Sequence, residues 1–307
     1  MSRKKKKKTS KLKVWLGIIV ILLLAVLGLD NRGVFTEIRN REQISRAIST
    51  IVNKDSNFKI FYFDVGQADC SLIMNNDKTM LIDAGNEEDG PLIVECLKGL
   101  GIEKIDYLIG THAHEDHIGG LDDVISEFSI GTIYMPKVQT NTKNFEDVLN
   151  AIENKNLTIE MPVIGESFNL DDCNCTIVSA NNETEDLNLS SIVLRLTYGT
   201  QSFLFMGDAE IENEEAISWD KTNVIKIGHH GSDTSTSEEF LAQIQAELAI
   251  ISVGEENDYG HPNDEVLNRL KQKNVNIFRT DMDGTIILTC DGNTNTMQKL
   301  ELCLDGN

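Results

Sequence analysis

Histidine and aspartate side chains carry the chemistry that this sequence could perform. A segment that begins at Thr111 reads THAHEDHIGG and places His112, His114, Asp116 and His117 within six residues. Neutral imidazoles bind zinc, iron or manganese, and a carboxylate adds negative charge that balances the ion. Because the first two histidines can reach one ion while Asp116 and His117 turn to a second, the pattern predicts a two-metal site.

The other candidate ligands come from distant parts of the chain. All six histidines follow candidate strands in segments rich in Gly, Asp or Ser, which is unusual for histidines that only fill a core. Asp208, in GDAE, is a candidate carboxylate that bridges two ions. His261, in YGHPN, is a candidate to complete the ligands of the second ion. His229 and His230, in GHHGS, are candidates either to donate a proton and bind the scissile group or to be metal ligands.

Two further polar residues are candidates for supporting roles. Asp64, in FDVGQAD, ends the first long strand and could orient a ligand histidine, although a simple turn-forming role is the alternative. Ser232, in GHHGS, is a candidate anchor for a bound group.

Strands and helices must bring these distant segments together. Apolar runs and helical spacing predict two halves of similar layout, with the candidate ligands where strands end and loops begin. This layout favours an α/β or α+β layered domain. The predicted strands are 59–65, 70–74, 79–83, 106–110, 132–135, 175–179, 191–198, 202–206, 224–227, 248–253, 275–279 and 285–289, and the predicted helices are 91–100, 121–128, 145–154, 238–245 and 264–273.

Composition and charge constrain the class of protein. Hydrophobic residues make up 40% of the 307 residues and charged residues 25%, which is typical of a globular domain. The net charge of −21 hides an asymmetry, because residues 1–13 contain eight basic and no acidic residues, and the remainder sets 20 basic residues against 49 acidic ones. Such an acidic body is unlike a non-specific nucleic-acid binder. A nuclease stays compatible, since metal ions can supply positive charge at the phosphate.

The N-terminus predicts a membrane anchor. Residues 14–29, VWLGIIVILLLAVLGL, are apolar or Gly, and the flanking lysines can snorkel to compensate for a length below about 20 residues. No A-x-A pattern follows, which favours a retained signal anchor over a cleaved signal peptide, whose removal would make the protein secreted. The basic tail 1–13 is then cytoplasmic, and a linker 30–56 joins the single-pass anchor to an extracytoplasmic domain, 57–307.

The motifs FDVGQAD, LIDAG, THAHEDHIGG, GDAE, KIGHHGSDTST and YGHPN together resemble those of the metallo-β-lactamase superfamily. They are more narrowly similar to the hydrolase domain of the ComEC-type competence proteins, which internalise DNA, and the similarity runs from about Phe58 to Leu304. The resemblance implies a four-layer αββα sandwich with a dinuclear site at one edge of the sheets.

The resemblance also implies a ligand set for two divalent ions, Zn²⁺ or Mn²⁺. The first ion would be held by His112, His114 and Asp208, and the second by Asp116, His117, Asp208 and His261.

Many relatives have a further histidine ligand for the first ion between the HxHxDH segment and the bridging aspartate. This sequence has no histidine between positions 117 and 229, and NLSSIVLRL, with Asn188 and Ser191, occupies the corresponding stretch. The first ion is therefore expected to have fewer protein ligands, and occupancy by one ion is an alternative to two.

The function predicted from these features is that of a membrane-anchored, metal-dependent hydrolase. Within this class, a phosphodiesterase or nuclease that attacks DNA with metal-activated hydroxide is favoured, with Asp116, His229 and His230 as candidate catalytic residues. A hydrolase of small esters, lactones or phosphoesters is one alternative, and a non-catalytic metal-binding module is another. ComEC-type transporters also contain a multi-helix channel, whereas this sequence has one apolar segment, so DNA transport would need a separate channel protein as partner.

Overall fold

Two β-sheets packed face to face form the centre of the fold. The computed structural model describes residues 57–138, 140–181, 184–300 and 304, and these contain fifteen strands. The first sheet has the order β15-β14-β1-β2-β3-β4-β5-β6, and the second has the order β13-β12-β11-β10-β9-β8-β7. The first sheet consists of β1 (Phe58–Tyr62), β2 (Ser71–Asn75), β3 (Lys78–Ile82), β4 (Lys104–Ile109), β5 (Ser129–Tyr134), β6 (Ile159–Glu160), β14 (Thr285–Cys290) and β15 (Asn295–Leu300). The second consists of β7 (Ser167–Leu170), β8 (Cys173–Ser179), β9 (Val193–Tyr198), β10 (Gln201–Phe205), β11 (Val224–Lys226), β12 (Leu248–Ile251) and β13 (Asn276–Arg279).

Each sheet is antiparallel in one part and parallel in the other. Strands β1, β2 and β3 form a meander, in which Asn75 pairs with Lys78 across a two-residue turn. Strands β3 to β6 are parallel, as are β10 to β13 in the second sheet. Because parallel strands end at one edge of their sheet, the loops that follow β3, β4, β10, β11 and β12 can meet there.

Aromatic and aliphatic side chains fill the space between the sheets. Phe58 of β1 stacks on Phe203 of β10 with ring centroids 5.3 Å apart, and Tyr62 stacks on Phe205 at 5.8 Å. All four are essentially excluded from solvent. Burial of each such side chain stabilises the fold by roughly 1.5–3 kcal/mol. This layer therefore fixes the position of one sheet relative to the other.

Helices cover the outer faces of both sheets. In the second half, Phe240 and Leu270 lie in one buried cluster with Ile225 and Ala249 of the sheet. The predicted αββα sandwich is therefore confirmed. The helices are α1 (Gly90–Gly99), α2 (Glu115–Ile118), α3 (Leu121–Glu127), α4 (Lys143–Asn154), α5 (Ile211–Glu215), α6 (Glu238–Ile244), α7 (Asp264–Gln272) and α8 (Thr280–Asp283).

The predicted N-terminal segments, namely the basic tail 1–13, the anchor 14–29 and the linker 30–56, lie outside the described residues. Of the helices within the described ranges, none combines the length and the apolar character that a membrane crossing requires.

Candidate metal centre

The ends of parallel strands bring the candidate ligands to one place. Asp83 follows β3 and His112 follows β4 in the first sheet, while Asp208 follows β10 and His230 follows β11 in the second. The two sheets meet where His117 Nε2 lies 3.2 Å from Asp208 Oδ1. Residues that are more than 90 positions apart in the chain thus share one site at the edge of the sandwich.

The first group of potential ligands consists of His112, His114 and Asp208. His112 Nε2 lies 2.9 Å from His114 Nδ1 and 3.7 Å from Asp208 Oδ2. Burial lowers the pKa of His112 well below its usual value, the main effect, and the adjacent His117 lowers it further. His112 is therefore a neutral imidazole, which is the form that binds metals.

The second group consists of Asp116, His117, Asp208 and His230. His230 Nε2 lies 3.2 Å from Asp116 Oδ2 and 3.8 Å from Asp208 Oδ1. Asp208 belongs to both groups, with Oδ2 directed at the first and Oδ1 at the second. This is the arrangement required of a carboxylate that bridges two ions.

Three buried atoms in this centre support the presence of an ion. His117 Nε2, His230 Nε2 and Asp208 Oδ1 are buried and have no hydrogen-bond partner among the described residues. Buried polar atoms nearly always make hydrogen bonds, so three buried atoms that meet only in charged contacts of 3.2–3.8 Å require an explanation. A divalent ion satisfies all three, and a set of imidazole nitrogens and carboxylate oxygens suits Zn²⁺, Mn²⁺ or Fe²⁺.

The charges of the second group favour exchange of protons for metal. Burial alone would raise the pKa of Asp208, but His117 and His230 outweigh this effect and hold that pKa well below its usual range. Conversely, burial would lower the pKa of His117, whereas Asp208 and Asp83 raise it well above its usual value. The metal-free centre therefore holds a proton on His117 that must leave when Nε2 binds an ion.

Asp83 orients His117 from behind. Its Oδ2 lies 2.8 Å from His117 Nδ1, and Asp83 also accepts hydrogen bonds from the backbone N and the hydroxyl of Thr111, at 2.8 and 2.7 Å. A carboxylate on the far nitrogen fixes the ring and directs the opposite nitrogen at the metal. The sequence predicted this role for Asp64, whose Oδ1 accepts a 3.4 Å hydrogen bond from Gly66 N within its own turn.

We expect Asp83→Asn to weaken metal binding at the second group by about 10–100-fold, the effect typical of losing a carboxylate that orients a ligand histidine. The dissociation constant would be measured by competition with a chromophoric chelator. Asp64→Asn is the matched control and should leave the constant unchanged. The reverse pattern, with Asp64→Asn weakening binding and Asp83→Asn silent, would assign the orienting role to Asp64.

The GHHGS turn sends its two histidines in different directions. His229 and His230 both adopt left-handed backbone conformations, with φ of 49° and 50°, which are unfavourable for residues other than Gly and cluster at functional sites. His230 is buried and its Nδ1 lies 3.0 Å from the carbonyl oxygen of Ser252. Since Nδ1 must donate to that oxygen, Nε2 is left as the metal-binding atom.

His229 and His261 face a cavity above the centre rather than joining either ligand group. The cavity has a volume of about 260 Å³. Asp116 and Asp208 are among the residues that line it, and Tyr259 stands beside His261 with ring centroids 5.8 Å apart. Burial lowers the pKa of His261, the main effect, and His230 lowers it further. The second group contains His230, which the sequence left open as a possible ligand, and does not contain His261, which the sequence predicted there.

Among the described residues, the cavity wall contains no permanent cation. None of the nine described residues that line it is Lys or Arg, and Glu115 adds a carboxylate at the rim. Gln67 is held in the wall because its Oε1 accepts a hydrogen bond from Gly254 N at 3.1 Å. A bound anion would therefore depend on the metal ions for its charge compensation.

The predicted supporting residues lie around the ligands without joining either group. Ser191 Oγ accepts a 3.0 Å hydrogen bond from Asp208 N, so it holds the backbone of the bridging residue. Asn188 Nδ2 donates to Glu210 Oε1 at 3.3 Å. Ser232 Oγ lies 3.1 Å from Thr234 Oγ1, beside the histidine turn.

A buried ion pair beneath the centre was not predicted. Lys226 Nζ lies 2.8 Å from Asp69 Oδ2, and both side chains are almost completely buried. Asp69 Oδ1 lies 3.7 Å from His230 Nδ1. The available signal was a lysine at the end of the apolar strand that precedes GHHGS, together with the last aspartate of FDVGQAD.

Comparison with known proteins agrees with this geometry. The family profile described as "Metallo-beta-lactamase superfamily" matches residues 63–255. ComE operon protein 3 of Bacillus subtilis is 34% identical over 200 residues, which cover 64% of this chain and 26% of that protein. Recombination protein 2 of Haemophilus influenzae is 30% identical over 233 residues, which cover 73% of this chain and 28% of that protein.

Solved structures also share the fold. CmlA, a diiron β-hydroxylase from Streptomyces venezuelae, superimposes with a TM-score of 0.52 at 16% identity, over 80% of this chain and 55% of that one. The chain spans less than a third of the length of the curated competence and recombination proteins that it matches.

Proposed function

Because this chain belongs to the metallo-β-lactamase superfamily, we propose that it is a metal-dependent hydrolase of phosphodiesters, with DNA as the favoured substrate. The observation that carries this proposal is the pair of ligand groups that share Asp208 and open onto one cavity. Two-metal centres of this kind clamp the attacking and leaving oxygens of a phosphoryl group.

The chain's own residues would hold two ions, with His112, His114 and Asp208 at one and Asp116, His117, Asp208 and His230 at the other. When bound, such ions supply Lewis acidity at a phosphoryl oxygen and lower the pKa of water. Asp116, which lines the cavity, is positioned to orient the attacking water by accepting its hydrogen bond. His229, in the cavity wall, is positioned to donate a proton to the leaving oxygen.

DNA is favoured over other phosphodiesters by two features. Several relatives are named as competence or recombination proteins. In addition, the ring of Tyr259 is 73% exposed at the cavity rim, where a nucleobase could stack on it. The absence of Lys and Arg among the described residues of the cavity wall instead favours a second candidate, a hydrolase of small esters, lactones or phosphoesters. Two groups of potential ligands that share Asp208 disfavour a non-catalytic binding module.

The test is hydrolysis by the purified, metal-stripped protein after addition of Mn²⁺ or Zn²⁺. Single-stranded DNA, double-stranded DNA and chromogenic esters would be compared. We expect DNA cleavage that needs metal and that falls about 10²-fold in His114→Ala, since Lewis-acid stabilisation amounts to several kcal/mol. If the protein binds metal but hydrolyses only esters, the second candidate function is favoured. Cleavage of DNA without metal would refute the mechanism.

We also propose that residues 14–29 anchor the protein in the cell membrane with the hydrolase domain outside, where DNA arrives from the medium. The polybasic residues before this segment support the orientation. Extraction of membranes with alkaline carbonate should leave the protein in the pellet, and protease added to intact cells should remove the domain. Release by carbonate, or protection from protease, would contradict the anchor or its orientation respectively.

A further inference from the structure

We propose that Glu210 is a positioning residue that holds the ring of His229 in the orientation required for proton donation; this inference rests on the hydrolase function proposed above. Glu210 belongs to neither ligand group and does not line the cavity. It follows Asp208 by two positions and lies at the start of α5.

One carboxylate oxygen of Glu210 contacts the polar groups next to the His229 ring. Its Oε1 lies 3.3 Å from His229 Nδ1, and it accepts hydrogen bonds from Thr234 Oγ1 at 3.0 Å and from Asn188 Nδ2 at 3.3 Å. Thr234 Oγ1 itself lies 3.1 Å from His229 Nδ1. The Nδ1 nitrogen therefore faces a carboxylate and a hydroxyl, and both can accept its proton.

The opposite nitrogen of His229 is directed at the reaction centre. His229 Nε2 lies 3.8 Å from Asp208 Oδ2, and the side chain keeps 22% of its surface exposed towards the cavity. With Nδ1 hydrogen-bonded to Thr234 Oγ1 and facing Glu210 Oε1 at 3.3 Å, proton transfer runs only through Nε2. In the donation step the Nε2–H bond breaks as the proton passes to the leaving oxygen, the P–O bond electrons stay on that oxygen, and the Nδ1–H bond of His229 is kept.

The backbone of His229 does not by itself determine the direction of the ring. His229 N donates to the carbonyl oxygen of Gly207 at 3.1 Å, which fixes the main chain in its left-handed conformation. The side-chain torsions remain to be set by contacts of the ring. Glu210 and Thr234 are the acceptors at one ring nitrogen, and the edge of His261 packs at 5.7 Å between centroids.

Glu210 also has contacts that a purely structural role would explain. Its backbone N donates to Asn213 Oδ1 at 3.0 Å, and the next residue, Ile211, donates from N to the carbonyl oxygen of Thr234 at 2.9 Å. These two contacts use the main chain, whereas the Glu210 side chain also forms half of a capping box with Asn213 at the start of α5. Thermal unfolding of each Glu210 variant therefore separates loss of the cap from loss of contact with His229.

The experiment is a double-mutant cycle on the full chain with Glu210→Ala, His229→Ala and their combination. We expect Glu210→Ala to lower kcat about 10-fold or more with KM and bound metal unchanged, and Glu210→Gln, which keeps an acceptor oxygen, to recover most of the loss. In the His229→Ala background, removal of Glu210 should change kcat less than about twofold. Glu212→Ala, an exposed glutamate on α5, is the matched control and should be silent.

A second measurement keeps the inference testable without any turnover. Two-bond ¹H–¹⁵N spectra of the histidine rings report which nitrogen carries the proton, and the His229 signals are assigned by their loss in His229→Ala. We expect an Nδ1-protonated ring in the wild type and in Glu210→Gln, and loss of that signature in Glu210→Ala.

Two results would overturn the role of Glu210. One is equal loss of kcat in both backgrounds of the cycle, and the other is an unchanged His229 signature in Glu210→Ala. If the wild type hydrolyses esters but no phosphodiester, the proposed substrate fails, while the same cycle run on the ester still decides the role of Glu210.

Discussion

Asp208→Ala is expected to reduce bound metal from two ions to one or none and to lower hydrolysis by about 10³-fold or more. Asp208 is the one residue shared by both ligand groups, so its loss removes a ligand from each ion. Metal ions supply several kcal/mol of transition-state stabilisation, and each 1.36 kcal/mol corresponds to a factor of ten in rate. Elemental analysis and kcat/KM on the favoured substrate are the two measurements.

The control for this prediction is Ser191→Ala. Ser191 holds the backbone of Asp208 through one hydrogen bond and belongs to neither group, so both ions should stay bound with a much smaller loss of rate. Thermal unfolding of both metal-free variants separates loss of ligands from loss of fold. An Asp208→Ala protein that keeps two ions and full activity would show that Asp208 does not bridge.

His230→Ala and His261→Ala are expected to behave differently, although both residues follow parallel strands of the second sheet. His230 is buried in the second ligand group, with Nε2 within 4 Å of Asp116 and Asp208. Its replacement should release one ion and lower kcat by roughly 10³-fold. His261 lines the cavity outside both groups, so its replacement should leave both ions bound and change mainly KM.

Metal content decides between the two histidines independently of the substrate. One ion in His230→Ala and two in His261→Ala would support the ligand set found in the structure. The opposite result would restore the assignment predicted from the sequence, with His261 as the ligand and His230 as a group that meets the substrate. Equal loss in both variants would require that both histidines bind metal.

The sequence predicted the centre best where its information is local. The HxHxDH segment lies on a single loop, and its spacing already separates two histidines for one ion from an aspartate and a histidine for another. The confirmed sandwich followed from the motifs and from apolar strands with helical runs between them. Strands at sheet edges were missed, because β15 reads NTMQKL and is half exposed, so it lacks the apolar alternation of a buried strand.

Relations between distant loops could not be read from the chain. Both GHHGS and YGHPN follow strands of the second sheet, but the distance of a histidine from its strand does not tell which way the loop turns. His230 is four residues beyond β11 and stays over the sheet edge, whereas His261 is ten residues beyond β12 and reaches only the cavity wall. The two consecutive left-handed residues are equally hidden from sequence reasoning, which assigns that conformation to Gly or Asn.

The described part of the cavity wall has no Lys or Arg, and this would affect how such an enzyme moves along a polymer. Proteins that travel along DNA neutralise many phosphates and release many counterions, which makes their affinity fall steeply with salt. Here the ions would hold about one phosphate and the ring of Tyr259 would stack on a base, so affinity should depend little on ionic strength. An enzyme that contacts so few phosphates would release the polymer after each cut. It would act distributively unless another protein delivers the strand to its active site.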